Sequence, residues 1–422
     1  MTELKECVVI DAVRTPIGKS SRAGMKKTGG AFRTASAQDL LINCMESVID
    51  RTQAKSADFD PKDIEDCAVG CLSQVGEQAG NLGRLAVLLS KLPYDIAGQT
   101  IDRYCNAGLQ AVNTCANAIR VGDGDIMIAA GVESMTHYKM GISMEICTQA
   151  DMPVFYSPRM AQLKWVQQGE SAELIADKYE FTRELMDKFG LWSHQKATKA
   201  MRNKEEYEKR VIPITYDAYD YPDKSTKKSV TITEDQTVRP VCLDDPDKAL
   251  EGMGKLKPNF RSVRKGGRVT AGNSSQIVDG AAACLLMSRE KADALGLKPM
   301  ASIVSTAVGG DEPVIMLLGP IPAQHKALKR AGKTMKDMDL IEPNEAFATP
   351  CLAFSDEFKY DYFDPRVNPT GGAISIGHPI GASGVIYFTE MVHEMVNRNL
   401  KYGIQTMCGG GGVGIATVVK RD

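Results

Sequence analysis

Cys105 is the residue in this sequence best placed to do chemistry. It precedes an apolar run at helical spacing, Val112, Cys115, Ala116 and Ile119, so it is predicted to stand at the N-terminus of a helix. The helix dipole and the free N–H groups there favour a thiolate, a strong nucleophile near neutral pH. A lone cysteine is more often a small buried hydrophobe, so a catalytic role needs support from other residues.

Three stretches far from Cys105 carry groups that a reactive thiolate needs. Asn344 opens the sequence Asn-Glu-Ala-Phe, His378 stands in a glycine-rich turn, and Cys408 opens a run of glycines. Imidazole has the intrinsic pKa of a general base, an amide can help to hold an oxyanion, and a second thiol can move a proton. Each motif alone is weak, but together they predict a thiol-dependent active site.

The combined pattern resembles the thiolase family, the 3-oxoacyl-CoA and acetyl-CoA C-acyltransferases. The resemblance covers nearly the whole chain, with matching stretches at residues 11–18, 131–135, 269–275, 279–283, 318–322, 344–347, 377–379 and 408–412. It implies an acyltransferase that forms a cysteine acyl-enzyme and most often cleaves 3-oxoacyl-CoA to acetyl-CoA and a shortened acyl-CoA. Coenzyme A is then a substrate, and no cofactor or metal is expected.

The resemblance also implies a role for each matching residue. Cys105 corresponds to the nucleophile, His378 to the base that deprotonates it, and Cys408 to the acid/base that protonates the acetyl-CoA enolate. One oxyanion hole would combine His378 with a water held by Asn344. The other would use the backbone N–H groups of Cys105 and Gly410, where a side chain would crowd the substrate.

Coenzyme A leaves a fainter trace in the sequence. By resemblance, Ser275 would hydrogen-bond the pantetheine arm and Phe347 would line its channel. Serine after Gly-Asn is otherwise more often a simple turn residue. For Glu345, an orienting role and a structural salt link are both open, and His194 is interpreted as structural.

Some positions depart from the family pattern. Asp102 and Ala107 stand where thiolases usually have asparagine and serine, and Gln168 replaces a methionine that helps to shape the acyl site. Catalysis should survive the changes at Asp102 and Ala107, because neither is a proton-transfer group. The glutamine argues against a simple short-chain specificity, although Met316 matches a second pocket methionine.

Composition narrows the class of protein. The chain has 422 residues, 45.8 kDa and a formal net charge of −2, with no electrostatic signature for nucleic acid or an anionic membrane. No apolar run approaches the roughly 20 residues that span a bilayer. Eleven irregularly spaced cysteines indicate a reducing compartment, and the pair Cys67 and Cys71 lacks a second half for a metal site. A soluble cytoplasmic protein is expected, as a homodimer or homotetramer by resemblance.

The predicted architecture is α/β: two similar α/β halves forming a layered sandwich with an inserted loop domain. Strands are predicted at 124–131 and 403–409, each after a helix, at 109–121 and 384–399. The charged, turn-rich middle predicts only short helical pieces, such as 173–179 and 194–201. The predicted domains are 1–135 plus 269–298 for the N-terminal half, 136–268 for the coenzyme A-binding insertion and 299–422 for the C-terminal half.

Several other interpretations stay open on the sequence alone. A ketoacyl synthase shares the fold and nucleophile but would not need the Cys408 motif, and a sterol-carrier-type thiolase would have histidine at Asn344. A biosynthetic acetoacetyl-CoA thiolase would run the condensation instead. A non-catalytic acyl-CoA-binding subunit should have lost one of the four groups. The glycine run at 409–412 lacks the spacing of a nucleotide-binding loop.

Overall fold

The computed structural model describes residues 4–20, 30–143, 159, 162, 164, 166–220 and 223–422. The strands are β1 Cys7–Arg14, β2 Gly18–Lys19, β3 Asp66–Gly70, β4 Gln99–Ile101, β5 Ile126–Ser134, β6 Ile214–Asp220, β7 Asp223–Ile232, β8 Val278–Ser288, β9 Ala301–Gly310, β10 Leu340–Pro343, β11 Tyr402–Cys408 and β12 Val413–Lys420. The helices are α1 Ala37–Lys55, α2 Leu82–Leu89, α3 Ala107–Val121, α4 Gln168–Lys178, α5 Arg183–Arg202, α6 Lys204–Arg210, α7 Val241–Asp244, α8 Pro246–Gly254, α9 Arg289–Ala294, α10 Pro320–Ala331, α11 Ala348–Phe358 and α12 Ser383–Asn397.

One continuous sheet runs through the molecule in the order β10-β11-β12-β9-β1-β8-β5-β3-β4, with β2 paired to β8. Its two halves meet at only two residue pairs between β1 and β9, Val8 with Ser302 and Val9 with Ala301. On one side, β3 and β5 are parallel, and β8 and then β1 follow antiparallel. Strands β10, β11, β12 and β9 repeat this pattern on the other side. The two similar α/β halves predicted from the sequence are confirmed.

Strand β8 illustrates why the core strands have apolar runs without alternation. Successive side chains of a strand point to opposite faces. Cys284 and Leu286 join the central core, whereas Leu285 and Met287 join the core that packs under α1. Because both faces of the sheet are covered, every residue of β8 is buried.

Helices α3 and α12 pack against each other between the two halves of the sheet. Their first turns are in close contact: a Cβ on Gly108 would lie 2.8 Å from the carbonyl oxygen of Gly381, and a Cβ on Gly384 would overlap the backbone of Leu109. Glycine is required at both positions because two backbones meet there. The crossing therefore brings together the loops that precede α3 and α12.

The chain between β5 and β8 is an insertion between two neighbouring strands of the sheet. It contains α4 to α8 and the β6–β7 hairpin, which forms from the polar stretch around residues 216–224. Residues 144–158 and 221–222 of this insertion lie outside the described residues. The domain boundaries given above stay a prediction.

The expectation of short helical pieces in this insertion was wrong for α5. This helix has 20 residues and is capped by Thr182, whose side chain accepts a hydrogen bond from the Leu185 N–H. It buries Met186 and Phe189 in a core shared with α11. Charged residues between the apolar positions of α5 make its apolar face hard to recognise in the sequence. The helix is stabilised mainly by the packing of that face.

A buried ion cluster links the insertion to both halves. The Arg14 side chain from β1 donates twice to Asp235 of the insertion, at 2.8 Å each, and once to Glu390 of α12, at 2.7 Å. Removing one partner of such a cluster is expected to lower the folding stability strongly, because the remaining charge stays buried without a partner. In the part of the chain that the structure describes, no helix is both long and apolar enough to cross a membrane.

Candidate active site

Cys105 lies in the loop between β4 and α3, two residues before the helix begins. The loop turns sharply there: Tyr104 has a φ of +51°, and its N–H donates to the Asp102 carboxylate at 2.8 Å. The Cys105 side chain is buried against Met135 and Ile380. The thiol is therefore close to the first turn of α3, as the apolar spacing predicted.

The resting thiol is not a thiolate. Burial raises the pKa of Cys105 to about 11, although a hydrogen bond from Gln168 and the residue's own N–H lower it. The expected effect of the helix N-terminus does not outweigh the loss of solvent around the sulfur. If Cys105 is the nucleophile, a base would have to accept its proton before the sulfur could attack.

His378 precedes α12 as Cys105 precedes α3, and its hydrogen bonds fix the ring tautomer. The Ser383 hydroxyl donates to the carbonyl oxygen of Pro379 at 2.8 Å, so it must accept from Nδ1–H of His378, at 2.6 Å. Nε2 then carries the lone pair, and it has no hydrogen-bond partner among the described residues. Burial lowers the pKa of His378 to about 4, so the ring is neutral at pH 7 and can act as a base.

Cys408 and Asn344 stand at the ends of two paired strands, β11 and β10. The Asn344 side-chain nitrogen lies 3.8 Å from the Cys408 sulfur, and Asn344 Oδ1 has no partner among the residues described. Burial, first, and the nearby Cys105, second, raise the pKa of Cys408 to about 12. The structure thus brings both sulfurs and the amide into one site, with Cys408 protonated.

The glycine run after Cys408 has two kinds of position. The nearest atoms to a Cβ at Gly410 would be those of the Tyr104 ring, at an ordinary 3.5 Å, so the protein itself does not require glycine there. Gly412, with a φ of +83°, would overlap the Asp311 carbonyl and does require it. The expectation that a side chain at Gly410 would crowd the substrate stays a prediction.

Two buried polar residues that the sequence did not single out hold the loops of the site in place. With its amide nitrogen turned towards them, Asn106 donates to the carbonyl oxygens of Met407 and Cys408 at 3.0 Å. Glu133, at the end of β5, accepts from the N–H of Leu72 at 3.0 Å, and from three further donors, Ser73 N–H, Gln78 Nε2 and Gly381 N–H. Asn106 and Glu133 stand within motifs, but their partners are distant in sequence.

Glu345 acts through hydrogen bonds. Its carboxylate accepts from Ser193 at 2.5 Å, from Asn368 at 2.7 Å and from the Ile374 N–H at 3.3 Å. No ion pair to Glu345 is found among the described residues. It therefore orients the 368–374 segment that leads to His378.

Ser275 and Phe347 line the same pocket as His378 and Gln168. This pocket has a volume of about 310 Å³, and Lys19 and Arg239 are also in its wall. The Phe347 ring meets Phe260 edge-on, with centroids 6.0 Å apart. The pocket walls include His378 but neither Cys105 nor Cys408, so the two sulfurs lie beyond it.

A second pocket of about 300 Å³ shares Arg239 and Ala271 with the first. Lys248 and Met253 are in its wall, as is His194, whose Nδ1 accepts from the Arg239 N–H at 3.3 Å. Burial lowers the pKa of His194 to about 3. Within the described ranges, no group of three or more histidine, cysteine or acidic side chains is arranged to bind a metal.

The chain is similar to known proteins in both sequence and structure. Sequence models of the thiolase N-terminal and C-terminal domains match residues 7–290 and 297–421. Relatives of this chain include two named 3-ketoacyl-CoA thiolase. The one from Marinobacter nauticus is 38% identical over 99% of this chain and 98% of its own length. The one from Idiomarina loihiensis is 38% identical over 99% of this chain and 100% of its own length. The crystal structure of the Bacillus anthracis acetyl-CoA acetyltransferase superimposes with a TM-score of 0.82 at 31% identity and covers all of both chains.

Proposed function

The chain belongs to the thiolase family, and from this premise we propose that it cleaves 3-oxoacyl-CoA with coenzyme A through an acyl-enzyme on Cys105. The observation that carries the proposal is that Nε2 of His378 has no hydrogen-bond partner among the described residues, in a site with two buried thiols. The enzyme is a thiolase-type acyltransferase.

The first half-reaction uses the three groups in sequence. Nε2 of His378 takes the Cys105 proton, and the sulfur attacks the 3-oxo carbonyl carbon of the substrate. The bond between C2 and C3 then breaks, which leaves the shortened acyl group on Cys105 and an enolate of acetyl-CoA. The Cys408 thiol protonates the enolate at C2, and acetyl-CoA departs.

The second half-reaction restores the free enzyme. The Cys408 thiolate takes the proton of an incoming coenzyme A thiol, whose sulfur attacks the acyl carbon on Cys105. The new acyl-CoA departs, and the Cys105 thiolate recovers its proton from His378. No proton is gained or lost over the cycle.

Oxyanions form in both half-reactions and need donors that are already in place. By family resemblance we assign one hole to His378 with a water on Asn344, and the other to the N–H groups of Cys105 and Gly410. Oδ1 of Asn344 has no partner within the described part of the chain, which supports the first assignment, because a water can donate to it. Each fixed donor is worth about 2.7–4 kcal/mol to an oxyanion.

The two adjoining pockets have the chemistry that coenzyme A requires. In the first, Ser275 and Phe347 would contact the pantetheine arm. In the second, Arg239 and Lys248 would pair with phosphates, and Met253 would pack on the adenine. No cofactor beyond this substrate is proposed.

We infer a preference for longer or functionalised 3-oxoacyl chains over acetoacetyl-CoA. Gln168 brings an amide to the acyl site and Ala107 removes a hydroxyl, and polar complementarity discriminates more strongly than an added methylene, which is worth about 1–3 kcal/mol. The name of the relatives, 3-ketoacyl-CoA thiolase, supports the degradative direction. A biosynthetic condensation is the second candidate, favoured by the Bacillus anthracis structure.

A thiolysis assay tests the function and the substrate together. Thiolysis is measured with a panel of straight, branched and carboxylated 3-oxoacyl-CoAs. The longer or functionalised members should have a higher kcat/KM than acetoacetyl-CoA. The substrate preference is wrong if acetoacetyl-CoA ranks first and Gln168→Met leaves the order unchanged. Absence of thiolysis throughout would favour a non-catalytic subunit.

The assembly and location are also proposals. By resemblance we expect a homodimer or homotetramer with the segments near Cys105 close to the interface, and a cytoplasmic enzyme. Light scattering that shows only a 45.8 kDa species at micromolar concentration would contradict the assembly.

A further inference from the structure

Gln168 touches the sulfur that the reaction uses. Its side-chain nitrogen lies 3.9 Å from the Cys105 sulfur, and the residue is half-buried in the wall of the pocket that contains His378. Methionine, which the family pattern often has at this position, has no N–H to donate. The substitution therefore adds a hydrogen-bond donor at the nucleophile.

The amide is held by the first turns of α4, which begins at Gln168. Two residues later, Glu170 pairs with Arg261 at 2.7 Å, and one turn further the Glu173 carboxylate accepts from the Val269 N–H at 2.9 Å. Both bonds tie α4 to the chain that leads into β8. The helix start is therefore fixed relative to the pocket, and its N-terminus adds a favourable dipole.

Forming the thiolate of Cys105 is unfavourable in its buried site, and the Gln168 amide can reduce this cost. Burial raises the pKa of Cys105, and the buried Glu133 and the nearby Asp102 raise it further. The proton has a neutral acceptor in His378, but the thiolate that remains lies among apolar side chains, Met135 and Ile380. Hydrogen bonds to a charged partner contribute more than neutral ones.

We propose that Gln168 is a catalytic residue whose side-chain amide donates to the Cys105 thiolate and so promotes its formation. When the proton moves from the Cys105 sulfur to Nε2 of His378, the charge on sulfur strengthens the N–H···S bond. Acylation removes the charge and weakens the bond. The amide thus stabilises the nucleophile more than the acyl-enzyme, in addition to any effect on the acyl chain.

The proposal rests on the proposed function only in taking Cys105 as the nucleophile, and thiol alkylation tests it without substrate. The rate of carbamidomethylation of Cys105 by iodoacetamide is measured from pH 6 to 10, with the modified residue identified by mass spectrometry. Gln168→Met keeps the volume and removes the donor, and Gln168→Glu keeps the shape and adds a charge. Gln167→Met, one position earlier and exposed, is the matched control.

Gln168→Met should slow alkylation of Cys105 about tenfold at each pH below the pKa of the thiol, because a pKa higher by about one unit leaves about one tenth of the thiolate, and Gln168→Glu should slow it further. Gln167→Met should match the wild type. Equal pH profiles for the wild type and Gln168→Met, in protein with an unchanged melting temperature, overturn the proposal. Thiolysis that persists in Cys105→Ser would instead overturn the proposed function, which is a separate result.

Discussion

The proposed catalytic groups are all uncharged at rest, so the site must stabilise the charges that form during the reaction. Burial lowers the pKa of His378 to about 4 and raises those of Cys105 and Cys408 to about 11 and 12. The thiolate–imidazolium pair is therefore a minor state of the free enzyme. Donors fixed around the sulfur and the later oxyanion must favour it.

Ser383 should matter because it fixes which nitrogen of His378 carries the proton. Ser383→Ala removes the acceptor for Nδ1–H, so the ring can adopt the tautomer that leaves no lone pair on Nε2. We expect kcat to fall at least tenfold with little change in KM, since general-base catalysis contributes about 10²–10⁴-fold. Steady-state kinetics of thiolysis measures this.

Thr389→Val is the matched control for Ser383→Ala. It removes the same kind of bond, from a side-chain hydroxyl to the carbonyl oxygen four residues earlier on α12, without a contact to His378. If both variants had the same kcat, tautomer control by Ser383 would be excluded.

At the scale of elements, the crossing of α3 and α12 brings the proposed nucleophile Cys105 and the proposed base His378 together. A methyl group on Gly384 would overlap the α3 backbone, so Gly384→Ala must separate the two helix starts. We expect a loss of about 3 kcal/mol or more of folding stability, at the upper end of overpacking effects. Thiolysis should fall as well, because Cys105 and His378 move apart.

Gly252→Ala provides the comparison for Gly384→Ala. Gly252 lies inside α8 with open space around its Cα, so alanine should stabilise by about 0.5–1 kcal/mol. Urea unfolding of both variants measures the difference. Equal stabilities of the two variants would show that α3 and α12 can move apart at little cost, which would contradict the prediction.

The sequence predicted elements with local signals and missed those that depend on distant partners. The helices predicted at 109–121 and 384–399 are α3 and α12 within two residues at each end, because apolar period and glycine mark them. The site residues came from motif resemblance. The contacts of Asn106 with residues 407–408 and of Glu133 with Gly381 arise only after folding, as does the burial that raises the pKa of Cys105.

At the scale of the whole molecule, buried neutral histidines make folding sensitive to acid. His393 of α12 donates from Nε2 to the Ala12 carbonyl oxygen in β1 at 2.8 Å, across the two halves. Burial lowers its pKa to about 4. The unfolded chain therefore binds a proton that the folded chain does not between about pH 6.5 and 4, and stability falls as the pH is lowered through this window.

His393→Gln should reduce this acid sensitivity. The glutamine amide can still donate to Ala12 but does not titrate, so the stability lost between pH 7 and pH 5 should shrink by about 2 kcal/mol. Urea unfolding at the two pH values measures the loss. If His393→Gln lost as much stability between pH 7 and pH 5 as the wild type, His393 would not be a source of the acid sensitivity.

The central claim is that Cys105 carries the acyl group while Cys408 only moves a proton. Mass spectrometry of enzyme incubated with acyl-CoA, without an acceptor, tests it most directly in Cys105→Ser and Cys408→Ser. Cys408→Ser should become acylated on Cys105, slowly, because its nucleophile and base remain, and Cys105→Ser should show no acyl adduct. An acyl group found on Cys408 and never on Cys105 would contradict the account.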